Sequence, residues 1–149
     1  MDGHDVKQDY GKARYLCEKA ADQGDTDAKV ILALMYDEGK CVRQDYSKAR
    51  FWFEKAVEQG EAKAQYNLGV LYDVGDGVRQ DYSKARFWFE KAAEQGIAYA
   101  QFNLGNMYYN GHGVRQNLEI AKEWYGKACD GGEQDGCYND RILNERWIK

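Results

Sequence analysis

DYSKARFWFEKAAEQGIAYAQFNLGNMYYNGHGVRQ, Asp81 to Gln116, decides the fold, because the rest of the chain restates it at a fixed spacing. Thirty-six residues earlier, Asp45–Gln80 reads almost identically. Asp9–Gln44 follows the pattern more loosely, and Asn117–Lys149 is a shortened last copy. A period of this length predicts supersecondary units that stack on one another, not a globule around one central core.

Inside the unit, Ala85, Trp88, Phe89 and Ala92 recur at i, i+3, i+4 and i+7, which puts four apolar groups on one helical face. Asp81 precedes this first helix as an N-cap, and Gly96 follows it where a left-handed residue is wanted. A second apolar face runs through Ala100, Leu104, Met107 and Tyr108. Gly105 offers a place for close helix approach, and Gly111 and Gly113 end the segment. Each unit is therefore an antiparallel helix hairpin with an apolar side that only its neighbour covers.

These residues resemble the Sel-one-like repeat, a relative of the tetratricopeptide repeat. The resemblance rests on Ala85, Trp88, Phe89, Ala92, Gly96, Ala100, Leu104, Gly105, Tyr108, Gly111, Gly113 and Val114, and it recurs along essentially the whole chain. It implies an all-α, right-handed α/α solenoid used as a noncatalytic scaffold or adaptor for proteins or peptides. The proline common near the end of a tetratricopeptide unit is missing, since the chain has none.

The chain then reads as one repeat domain, 1–149. Residues 1–8 are the tail of a preceding unit, 9–44, 45–80 and 81–116 are complete units, and 117–149 is a capping unit. Asp2–Gln8 aligns with the loop Asn110–Gln116, so a loop is expected there, and the sequence reads as beginning part-way through a longer array or, alternatively, as a short chain with a clipped first unit. In the last unit Asp140 and Arg141 replace Leu104 and Gly105. Gly136–Trp147 is accordingly expected to form a polar-faced capping helix, with Trp147 and Ile148 folding back on the array. In the first unit Cys17 stands where Phe53 and Phe89 recur, as a small core residue. Cys41 replaces Gly77 and Gly113, which predicts either a different backbone or a strained loop.

Of 149 residues, 44% are hydrophobic and 31% charged, enough to bury and to solvate an extended array. A net charge of −4 gives no general attraction for nucleic acid or anionic membranes. No apolar run is long enough to span a bilayer. Two histidines in loops an array apart give no metal set with the cysteines, and no cofactor motif is present. Nothing places a histidine beside a nucleophile. An enzyme acting on cell-wall or β-lactam ligands, as proposed for cysteine-rich relatives, stands as the alternative, with nucleic-acid binding along an arginine ladder as a third.

The KACDGGEQDGC segment resembles the staple found once per repeat in the cysteine-rich subgroup, which implies a Cys129–Cys137 disulfide across the last hairpin. Two free thiols in a reducing compartment are the alternative. The staple favours an exported bacterial setting, while Cys17 and Cys41, without an evident pairing, leave the cytoplasm open.

Opposite the apolar face, Tyr15, Phe51 and Phe87 occupy one site in consecutive units, with Arg14, Arg50 and Arg86 beside them. They form a candidate partner-binding strip of aromatic and guanidinium groups. The competing reading packs the rings between hairpins and pairs the arginines with Glu18, Glu54 and Glu90 four positions on. The loops around Arg79 and Arg115 are a second candidate surface.

Overall fold

The computed structural model describes the backbone of residues 3–147 and the side chains of residues 10–146. Eight helices follow in order: α1 (Gly3–Asp22), α2 (Thr26–Glu38), α3 (Tyr46–Val57), α4 (Ala62–Val74), α5 (Tyr82–Glu94), α6 (Ala98–Asn110), α7 (Leu118–Asp130) and α8 (Gln134–Trp147). Among the described residues there is no strand. Each helix packs on the next in the chain, so the core runs lengthwise through three linked clusters. These centre on Leu32, Phe53 and Leu68, then on Phe89 and Leu104, then on Tyr125 and Leu143.

Local chemistry sets the boundaries. Asp45, Asp81 and Asn117 each lie in extended backbone, and their side-chain oxygens accept from the N–H of Lys48, Lys84 and Ile120 at 3.1, 3.1 and 3.0 Å. One otherwise unpaired donor per helix start is thereby satisfied. α2, α4 and α6 end at Gly39, Gly75 and Gly111 in the left-handed region, and the cap N–H returns to a carbonyl of the last turn.

Two close contacts join helices connected by the longer loops. A Cβ added at Gly69 would lie 2.6 Å from the Phe89 ring, and one at Gly105 would lie 2.5 Å from the Tyr125 ring. Bare backbone on α4 and α6 is what lets these rings of α5 and α7 seat fully. Gly105 therefore has the close-approach role its position suggests.

Three expectations change, and a fourth falls outside the described residues. Residues 3–8 belong to α1 and do not form the loop read into Asp2–Gln8. The loops at 75–81 and 111–117 each use a second positive-φ glycine, Gly77 at +68° or Gly113 at +70°, and Asp5, whose side chain disfavours that backbone, stands in that place. The capping helix starts two residues early, at Gln134. The proposed fold-back of Trp147 and Ile148 lies outside the described side chains. Trp88 is only partly buried: Ala85, Phe89 and Ala92 are sealed within their own cluster, while the indole reaches back to the preceding one.

The polar residues of the last helix make contacts within their own hairpin. Asp140 meets Lys122 of α7 at 3.5 Å, and Arg141 lies over the Tyr138 ring. Cys41, at φ +67°, adopts the same left-handed backbone as its glycine counterparts, so the strained-loop alternative holds.

Candidate interaction surface

Tyr15, Phe51 and Phe87 project from α1, α3 and α5 and are 61%, 49% and 50% exposed. Phe51 and Phe87 do not seal a joint between hairpins. Each stands edge-on to the tryptophan beside it, Trp52 at 5.1 Å and Trp88 at 5.0 Å between centroids, and carries a lysine over its ring, Lys55 at 5.7 Å and Lys91 at 5.6 Å. The indoles fix the rings from below and the outer face stays open. On α7 the equivalent position is Glu123, so the strip ends at α5.

The arginines pair as the competing reading requires. Arg14, Arg50 and Arg86 present Nε to Glu18, Glu54 and Glu90 at 3.8, 3.7 and 3.6 Å. Their long stems nevertheless form walls of three equivalent recesses, one per long loop. Arg14 joins Tyr36, Arg43 and Lys48 around about 340 Å³. Arg50 joins Tyr72, Arg79 and Lys84 around about 320 Å³, and Arg86 joins Tyr108, Arg115 and Ile120 around about 450 Å³. Arg50 and Arg79 lie 29 positions apart in sequence, and only the folded loop unites them. The loop arginines were legible in the recurring triplet VRQ, but their union with the first-helix arginines was not.

The loops bearing these second arginines are pinned at both ends. Gln44, Gln80 and Gln116 donate from Nε2 to the carbonyls of Asp37, Asp73 and Tyr109, each at 2.9 Å. One residue on, the N–H of Asp45, Asp81 and Asn117 donates to the carbonyls of Tyr36, Tyr72 and Tyr108 at 3.0, 2.9 and 2.9 Å. Burial raises the Tyr36 hydroxyl above its ordinary pKa, with the nearby Glu18 charge adding to it. Burial likewise raises the Asp73 carboxyl, with His112 acting in the opposite sense.

The other surface, made by α2, α4, α6 and α8, also exposes large apolar groups: Ile31, Tyr99 and Tyr138. These occupy non-equivalent positions of the unit, so they form no strip in register. A further recess of about 350 Å³ at the C-terminal end is lined by Asn106, Tyr109, Tyr125, Asn139 and Arg146. Here the Tyr125 hydroxyl donates to Asn106 Oδ1 at 2.7 Å. In the structure Cys129 and Cys137 are bonded, with Cα atoms 4.5 Å apart, tying α7 to α8. Cys17 and Cys41 are free.

Comparison with known proteins places this geometry. No curated protein matches the chain. Among solved structures, the chain is similar to c5321, a protective antigen of uropathogenic Escherichia coli strains displaying an SLR fold. The identity is 42%, the TM-score 0.79, and the match covers 81% of this chain and 26% of that one. A Sel1 repeat protein from Oxalobacter formigenes matches at 33% identity and TM-score 0.80, over 85% of this chain and 52% of that one. Cysteine rich protein B of Helicobacter pylori matches at 27% identity and TM-score 0.70, over 89% and 95% of the two chains. The chain thus spans about a quarter and about half the length of the first two relatives. The family model described as Sel1 repeat matches residues 1–25, 26–61, 62–97 and 98–133, units that enclose the closely packed pairs α2–α3, α4–α5 and α6–α7. The chain belongs to the Sel1 repeat family, whose members are generally noncatalytic helical scaffolds for protein interactions.

Proposed function

We propose that this chain is a noncatalytic scaffold that binds a peptide or protein segment along the outward side of α1, α3 and α5, with Tyr15, Phe51 and Phe87 as anchors. The observation that carries this reading is the exposure of three aromatic rings at equivalent positions of successive units, two of which, Phe51 and Phe87, are held by neighbouring side chains instead of being used to close the core. A rigid ring that loses little conformational freedom on contact is an efficient anchor. A repeating array multiplies such contacts along one extended partner. Arg14, Arg50 and Arg86 contribute through their position beside the rings, already steadied by glutamates.

The test is a peptide library selected on the parent protein, with the enriched peptides then measured against Phe51→Ala/Phe87→Ala. Affinity should fall at least tenfold, roughly the loss of one anchor, while the melting midpoint stays within a degree or two. Retained affinity on a stable double variant would move the binding surface elsewhere.

A further inference from the structure

We infer that the three loop recesses are carboxylate-binding subsites, and that the partner of this array is an acidic polypeptide segment. The inference rests on reading the array as a binding scaffold, and it names the chemistry of what is bound. In a chain of net charge −4, the recesses are local exceptions. The first two each bring two arginines and a lysine together with one aspartate, and the third brings two arginines with asparagine in place of that aspartate and isoleucine in place of the lysine. The two exchanges offset each other, so all three linings carry the same formal excess of two positive charges.

The loop arginine of each recess is the uncommitted part of that charge. Asp45 and Asp81 are occupied as helix caps, and Glu18, Glu54 and Glu90 meet Arg14, Arg50 and Arg86 on the Nε side. Arg43, Arg79 and Arg115 are exposed and make no ion pair or hydrogen bond among the described residues. Their backbones are fixed by the glutamine and aspartate or asparagine contacts that close each loop, so little loop ordering remains when a ligand arrives. Two arginines lining one recess suit a carboxylate, which can accept paired N–H donors from each.

The spacing of charge favours a polypeptide over a nucleic acid. Glutamates 18, 54 and 90 stand beside the recess arginines. A phosphate backbone is continuously charged and would meet these carboxylates as well as the recesses. An acidic segment places discrete carboxylates and leaves neutral residues between them. Three equal subsites then act together, so individually weak contacts sum along one chain.

The probe is a fluorescein-labelled peptide of Glu-Gly-Ser repeats, read by anisotropy at low salt and at high salt, beside its Gln-Gly-Ser isostere and a mixed-sequence oligonucleotide. The Glu peptide should bind at low salt and be released at high salt, and the Gln peptide should not bind. Each of Arg43→Gln, Arg79→Gln and Arg115→Gln should weaken binding about two- to fivefold, the size of an exposed ion pair, and the triple variant should abolish it with an unchanged melting curve. Equal binding of Glu and Gln peptides, or full binding by the triple variant, overturns the inference. An oligonucleotide that binds more tightly than the Glu peptide and is lost in the triple variant overturns it in favour of nucleic acid. Because the probe has no apolar side chain, Phe51→Ala/Phe87→Ala should retain it. Retained Glu binding with unaffected library peptides would remove the aromatic strip alone, whereas arginine-independent binding with aromatic-dependent library peptides would remove the recesses alone.

Discussion

Replacing glycine by alanine inside a helix ordinarily stabilises it by about 1 kcal/mol, because glycine gives up more backbone freedom on folding. Gly69→Ala should do the opposite. The new methyl would sit 2.6 Å from two carbons of the Phe89 ring, more than a full ångström inside the usual carbon–carbon contact. Phe89 is 1% exposed, so its ring has nowhere to swing, and α4 and α5 must part. Overpacking of this kind costs about 1–3 kcal/mol. Against the propensity gain, a net loss of up to about 2 kcal/mol is expected, near that upper end because the obstacle is a rigid ring. The internal control is Gly11→Ala on α1, where an added Cβ meets nothing within 4 Å and the same substitution should stabilise by up to about 1 kcal/mol. Urea melts followed by far-UV circular dichroism would read both. Phe89→Leu in the Gly69→Ala background should recover part of the loss, as a coupling of about 0.5 kcal/mol or more. If Gly69→Ala melts at or above the parent midpoint, close approach at this glycine is not what joins α4 to α5.

Three more substitutions probe separate parts of the array. Cys41→Gly removes a side chain from a backbone at φ +67° and should stabilise by about 0.5–1.5 kcal/mol, the conformational relief less glycine's greater unfolded freedom, measured by urea melt. Cys129→Ser/Cys137→Ser opens a link with a sequence separation of 8 and should cost about 2–3 kcal/mol, with reduction and alkylation of the parent giving a similar loss. Tyr125→Phe concerns alkaline stability. Burial first, and the neighbouring Tyr109 charge after it, push the Tyr125 hydroxyl up to about 12, whereas an unfolded tyrosine ionises near 10. Between those values the folded chain holds a proton that the unfolded chain has released, so stability falls as pH rises through the window. The variant should lose about 1 kcal/mol at neutral pH with its bond to Asn106, and its melting midpoint should decline less steeply above pH 10. Phenylalanine already occupies the equivalent positions 53 and 89 at full burial, so the ring itself is accommodated.

Helix placement was legible because two signals agreed: apolar positions at helical spacing, and capping residues or glycines at the right distances from them. Asp140 and Arg141 in the middle of α8 were legible for the same reason, as departures from a pattern stated three times. Trp88 was misjudged because helical phase ranks residues by direction and not by reach. A wide indole at the edge of the apolar face touches the preceding cluster and keeps one side in solvent. Residues 3–8 aligned to a loop, but alignment did not weigh that Asp5 lacks the freedom with which Gly77 and Gly113 reach a φ near +70°. The exposure of Phe51 and Phe87 followed from phase, yet choosing between solvent and a neighbouring hairpin required the actual distance between units. The recesses were invisible for a different reason. Arg50 and Arg79 meet only because Gln80 and Asp81 fold a loop back onto α4, a tertiary event with no periodic signature.

The most direct test of where this array binds is a residue-by-residue map of one complex. Isotope-labelled protein would be titrated with a library-selected peptide, and backbone amide shifts followed by nuclear magnetic resonance. Perturbations should fall on α3 and α5 around Phe51 and Phe87 and on the loops at Arg43, Arg79 and Arg115. The amides of Ile31, Tyr99 and Tyr138 should remain in place. Perturbations gathered on α4, α6 and α8, with the aromatic strip and the loops unmoved, would contradict the account.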